Sequence, residues 1–368
     1  MTRPDFIKNW TEIEPREPVR PPGINETFGG HSPFSRLTGL NRLRINHIRL
    51  GPGIRLNPPG AARDEEEFVY VIEGAPDMWC DGYLYRLAEG DGVGFKDRTG
   101  IAHSFLNNTD KDVRLFTMGE ASRYSSKIMQ PLEPQQNENL RKMGKLWEDA
   151  PRHALGPHDA LTDARRGRPS PEGSMKTARP DYVEHWKDKQ RKTWSYPGNS
   201  ETHGIHSKFA RDFGLSRIGV HHEVLPPGTR TSWPHAERDE EEFVFVLEGT
   251  PDVWIDGQLY PLKPGDGVGF PDLTGISHVF INNTDKPVRL IVTGEASRVH
   301  AKVHYPMHPK RNQEIGERHW ADVSKRAMGP HDGMPDLLRA KMAKGGMKPA
   351  AKPIAKPVKA KAKPKGKK

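Results

Sequence analysis

Two histidines and two glutamates in the second half of the chain have the types and spacing of a metal site. His235 and Glu237 are two residues apart, so on a strand both face the same side. Glu242 has the opposite parity and joins them only if the chain turns in between, a turn that the polar run 238–241 predicts. His278 comes from a distant segment, as a closed sheet allows. Two imidazoles and two carboxylates around one point leave room for water or substrate and suit one divalent ion, Fe(II), Mn(II) or Zn(II). The competing reading leaves Glu237 as a pocket or surface carboxylate and the site without a tightly held metal. Trp233 shares strand parity with His235, and Phe280 with His278, so both are candidate walls of a pocket, with core packing as the alternative. No catalytic residue can be assigned; Glu240 and Glu241 are acid–base candidates, but they sit in the expected turn.

The elements that must position these residues come from an internal repeat. Residues 50–120 recur as 225–295 at a constant offset of 175, with 46 identities in 71 positions. RDEEEFV, GDGVGF and NNTDK occur in both copies, and flanking matches (HSPF with HSKF, LGPHD with MGPHD) extend the unit to about 160 residues. Short apolar runs between turns predict strands. Asp256-Gly257 reads as a hairpin turn, and helices are expected around 136–148 and 310–327, outside the barrels. The run 243–247 is apolar on both faces, so a second sheet or a partner subunit must cover it. At the offset of 175 the four candidate ligands become Gly60, Ala62, Glu67 and His103, which leaves the first copy without half the set.

These residues resemble the cupin superfamily, whose fold is a small double-sheet β-barrel. Its first motif is matched by Gly228, His235, Glu237, Glu242 and Gly249, its second by Gly265, Pro271, Gly275, His278 and Asn282. The family's second histidine is Glu237 here, so a set of three histidines and one glutamate becomes two of each. The resemblance implies an all-β protein of two tandem jelly-roll barrels with short flanking helices, a metal in the second barrel, and a degenerate, metal-free first barrel. It implies a metal-dependent enzyme, dioxygenase- or decarboxylase-like, acting on a small oxygenated or carboxylated substrate. A non-catalytic module that binds or senses a small ligand is the alternative. Cupins commonly pair, and with the doubly apolar strand this gives an expected homodimer.

The expected organisation is a first cupin domain at 1–164, a linker at 165–180, a second cupin domain at 181–336 and a disordered tail at 337–368. The net charge of +9 resides in the tail, because residues 339–368 carry +12, which leaves about −3 on 1–338. A Lys/Ala/Pro tail of this kind is suited to weak, nonspecific, salt-sensitive contact with nucleic acid or an anionic surface, with a solubilising role as the alternative. No apolar run approaches the roughly 20 residues that span a bilayer, and the start lacks a secretory signal. A single cysteine, Cys80, excludes an internal disulfide and fits a cytoplasmic protein. The histidine pair His221-His222 reads as surface or core, with a place on the pocket wall as the alternative.

Overall fold

The computed structural model describes residues 2–14, 20, 26–296 and 299–344. Strands dominate and form two similar barrels, each with a six-stranded sheet facing a smaller one. In the second barrel the hairpin strands Asp252–Ile255 and Gln258–Pro261 flank Asp256 and Gly257, both at positive φ. A Cβ on Gly257 would lie 2.3 Å from the backbone of Gly329, so only glycine closes this turn.

The strand Glu242–Glu248 lies in the middle of its sheet, between Asp266–Phe270 and Val288–Glu295. Its alternation explains its double apolarity. Val244 and Val246 point into their own barrel, whereas Phe243 and Phe245 pack on Phe34 and Phe116. The cover is therefore the first barrel of the same chain, and this strand no longer argues for a partner subunit.

Each barrel borrows an edge strand from the other unit. Ile7–Asn9 pairs with Asp266–Phe270 of the second barrel, and Val183–His185 pairs with Asp91–Phe95 of the first. Each exchange is fixed by a ring stack: Trp10 on His47 at 4.6 Å, and Trp186 on His222 at 4.2 Å. Two reciprocal carboxylate clamps join the barrels. Glu66 accepts the backbone N–H groups of Ser216, Arg217 and Ile218 at 2.8–3.1 Å. Its counterpart Glu241 accepts those of Asn41, Arg42 and Leu43 at 2.7–3.0 Å. The repeated RDEEEFV segment is thus kept by the interface, and Glu241 is a structural clamp rather than an acid–base group.

Three details depart from the expected layout. The helices are shorter, Pro134–Lys142 and Pro309–Glu314, because Gly144 and Gly316 take positive φ just beyond them. Within 165–180, Met175–Lys176 adds a parallel strand to the first barrel's smaller sheet. The stretch expected to be a disordered tail from 337 begins as a helix, Asp336–Lys344; its remainder, from 345, lies outside the described residues. Among the described residues no helix is long and apolar enough to cross a membrane.

Candidate metal centre

His235 and His278 face each other across an antiparallel bridge, with reciprocal backbone hydrogen bonds of 3.2 and 2.9 Å. Glu237 ends the short strand Ala236–Glu237, the chain bends through 238–241, and Glu242 opens the next strand. The bend brings Glu242 back to the histidines despite its parity. His235, Glu242 and His278 place one ligand atom each within 4.8 Å of one another. Glu237 stands at the edge of this trio, its Oε1 3.7 Å from His235 Nε2.

Both imidazoles are oriented by their Nδ1 atoms. His235 Nδ1 lies 2.8 Å from the carbonyl of Trp233 and His278 Nδ1 lies 3.3 Å from that of Ile276. A carbonyl only accepts, so each Nδ1 carries the proton and each Nε2 offers a lone pair to the site. His278 is 2 % exposed and is held from behind by Phe270 at 3.6 Å. Its buried Nε2 has no hydrogen-bond partner. That nitrogen lies 3.4 Å from Glu242 Oε2, longer than a good hydrogen bond. Metal–ligand bonds of about 2.0–2.2 Å place tetrahedral ligand atoms roughly 3.3–3.6 Å apart. The orphaned nitrogen and this spacing fit a cation.

The electrostatics agree. Burial, followed by the His278 charge, depresses the His235 imidazole, which keeps it a neutral donor. Burial opposes ionisation of Glu242, but His278, His235 and His221 outweigh it and hold the carboxyl below its usual range. Glu237 is the opposite case: burial, then Glu240 and Glu242, push its carboxyl well above the usual range.

The equivalent place in the first barrel is filled. His103 Nε2 is hydrogen-bonded to Glu67 at 3.0 Å, and Arg44 reaches the same carboxylate at 2.6 Å. Burial would raise Glu67, but His103 and Arg44 bring it down to about 2. At the offset of 175, Arg44 corresponds to Gly219, which lines the cavity of the second barrel. A guanidinium in the first copy stands where the second keeps open space.

That open space is a cavity of about 270 Å³, reached by His235, Glu237, Glu242 and His278. Neither Trp233 nor Phe280 lines it. Trp233 stacks between Tyr196 and His308 at 4.0 Å each, and Phe280 is packed in the barrel core. Strand parity alone does not reveal depth within a barrel. His221 does line the cavity, together with His206 and Glu223, while His222 is buried on the opposite face against Trp186. Glu223 and Gly219 escape a sequence reading that stops the repeat at residue 225. Carried six residues further, the offset pairs Glu223 with Ile48, His221 with Asn46 and Gly219 with Arg44.

A cupin-domain model matches residues 47–119 and 221–294, one stretch in each barrel. A segment of 68 residues is 35% identical to "Polyketide synthase CurC" of Streptomyces cyaneus, covering 18% of this chain and 42% of that protein. Among solved structures, a variant of Bacillus subtilis oxalate decarboxylase OxdC aligns over 90% of this chain and 89% of its own, at TM-score 0.51 and 13% identity. The formate complex of Lactobacillus farciminis oxalate decarboxylase aligns over 88% and 95%, at TM-score 0.51 and 14% identity. At these identities the likeness is one of fold. With one cupin-domain match per barrel and two-barrel neighbours along almost its whole length, the chain carries a cupin domain in each half and has the tandem fold of a bicupin.

Proposed function

We propose that this bicupin is a metal-dependent enzyme whose second barrel acts on a small oxygenated substrate. The observation that carries the reading is the pair of fixed Nε2 lone pairs, one buried and unpartnered, beside Glu242 at ligand spacing on an open cavity. His235, Glu242 and His278 would hold one divalent ion, with Glu237 as fourth ligand. The ion's charge offsets the burial, and the repulsion from Glu240 and Glu242, that keep a proton on Glu237. A bound divalent ion supplies Lewis-acid polarisation of a substrate oxygen and, if redox-active, electron exchange with dioxygen. Mn(II), Fe(II) and Zn(II) all suit the donor set, and Mn(II) centres are named for the Bacillus subtilis oxalate decarboxylase.

The chain's own residues limit the substrate. Neither lysine nor arginine is among the residues lining the cavity, whereas several glutamates are. A dicarboxylate would meet like charge without a guanidinium to hold it, so a neutral hydroxyl or carbonyl compound fits better. This supports dioxygenase-like rather than oxalate-type chemistry. The name of the Streptomyces relative points the same way, since polyketides are rich in such oxygens.

Elemental analysis of protein purified without chelator tests the reading. Relative to the wild type, His278→Ala should lose one equivalent of metal and His103→Ala none. Oxygen-consumption assays with hydroxylated and ketonic substrates would follow. A wild type that takes up no Mn(II), Fe(II) or Zn(II) sinks the enzyme and leaves a small-ligand-binding module.

A further inference from the structure

We propose that the same cavity holds a second divalent-cation site, formed by His206, His221 and Glu223. These residues sit on the strands Ile205–Lys208 and Ile218–Leu225, which pair side by side in the six-stranded sheet. One ligand atom from each lies within 4.8 Å of the others. Glu223 is buried, 2 % exposed, and reaches between the two imidazoles. Its Oε1 lies 3.3 Å from His206 Nε2 and its Oε2 lies 3.5 Å from His221 Nε2. Both gaps match the roughly 3.3–3.6 Å expected between ligand atoms of one tetrahedral ion.

The second observation is the carboxylate itself. Glu223 Oε1 is buried and without a hydrogen-bond partner, a costly state for a charged oxygen unless a cation meets it. The indole N–H of Trp194 donates to His206 Nε2 at 3.0 Å, which marks this nitrogen as unprotonated, the state a metal ligand needs. Coordination would replace that single neutral hydrogen bond.

The fold does not require the trio. The first barrel has His31, Asn46 and Ile48 at the matching positions, and Ile48 is fully buried in an ordinary core. The polar set therefore appears only in the copy that has the other ligand set. The cavity's glutamates, unaccompanied by lysine or arginine on its lining, are able to neutralise two cations. Mixed imidazole and carboxylate donors select Mn(II), Fe(II) or Zn(II).

Mn(II) alone is the probe, titrated into the full-length chain while free ion is counted from its aqueous paramagnetic resonance signal. The wild type should bind two equivalents. Glu223→Gln, which keeps shape, and His221→Asn, which installs the first barrel's residue, should each bind one. His278→Ala should also bind one, through the second site. A wild type binding one equivalent, unchanged in Glu223→Gln and His221→Asn and lost in His278→Ala, overturns the second site and leaves the first. One equivalent lost in Glu223→Gln and kept in His278→Ala sustains this site and removes the basis of the proposed enzyme. No binding in any form overturns both.

Discussion

The two barrels share 46 of 71 central residues and the same sheet order, yet one encloses a cavity and the other an ion pair. What they retain in common marks what the fold needs. Glu66 and Glu241 clamp the opposite barrel, and Phe68 and Phe243 both lie in the shared core. What they do not share lies around a single interior region: Arg44 against Gly219, Gly60 against His235, Ala62 against Glu237, Ile48 against Glu223. In the first barrel the arginine supplies internally the positive charge that Glu67 requires. In the second, removal of that side chain leaves Glu242 to find its cation elsewhere. A duplicated scaffold has kept one copy closed and one open.

The largest expected effect comes from closing the open copy with the other's residue. A Cβ on Gly219 would meet nothing nearer than 3.8 Å, so the strand accepts a side chain there. Gly219→Arg should send a guanidinium to Glu242 and weaken metal binding about 10–100-fold, the range seen when the partners of a metal's ligands are altered. The converse, Arg44→Gly, should gain no metal, because Glu67 and His103 alone make a poor site. Adding Gly60→His and Ala62→Glu should create one, provided Ile128 moves, since its Cδ1 lies 3.0 Å from a Cβ on Gly60. Metal content of the three variants decides whether the arginine is what closes the first barrel.

A smaller effect separates scaffold from site. Glu66→Ala and Glu241→Ala each strip a buried carboxylate from three backbone N–H groups, and each should cost about 3–5 kcal/mol in urea unfolding. The two losses should be equal, although only Glu241 borders the proposed metal ligands. A Glu241→Ala protein that loses metal while keeping its stability would show the clamp to be part of the site.

Much of this was legible in sequence because the repeat acts as an internal control. The offset of 175 identified both barrels and the exchange of His235 and Glu237 for Gly60 and Ala62, and the bend at 238–241 followed from parity. Other features depend on contacts between segments far apart in the chain. Nothing local in Ile7–Asn9 says that it completes the second barrel's sheet, and nothing in RDEEEFV says that its third glutamate faces His278 while its second faces a backbone loop. For Trp233 and Phe280 core packing, the alternative to a place on the pocket wall, holds, because parity assigns a face but not a depth. His206 and Glu223 lie on neighbouring strands 17 residues apart, so only the pairing of those strands unites them.

The smallest effect concerns two histidines at equivalent positions with different bonding. His222 accepts the Nε–H of Arg289 at 3.1 Å, whereas both ring nitrogens of His47 are buried without a partner. Burial first, and Arg114 second, lower His47 from its usual 6.5 to about 3. The unfolded chain therefore binds a proton below pH 6.5 that the folded chain refuses until about pH 3. Stability from this residue is complete above pH 6.5 and declines as pH falls, by about 1.4 kcal/mol at pH 5.5. His47→Phe keeps a ring against Trp10 at 4.6 Å and sacrifices no hydrogen bond. It should leave stability at pH 7.5 nearly unchanged and raise it by about 1.4 kcal/mol at pH 5.5, read from urea midpoints. His222→Phe, which orphans the Arg289 donor, should instead destabilise the protein already at pH 7.5. Equal destabilisation by both substitutions at both pH values would mean that the two rings are bonded alike, and that the barrels differ less at their interface than their side chains indicate.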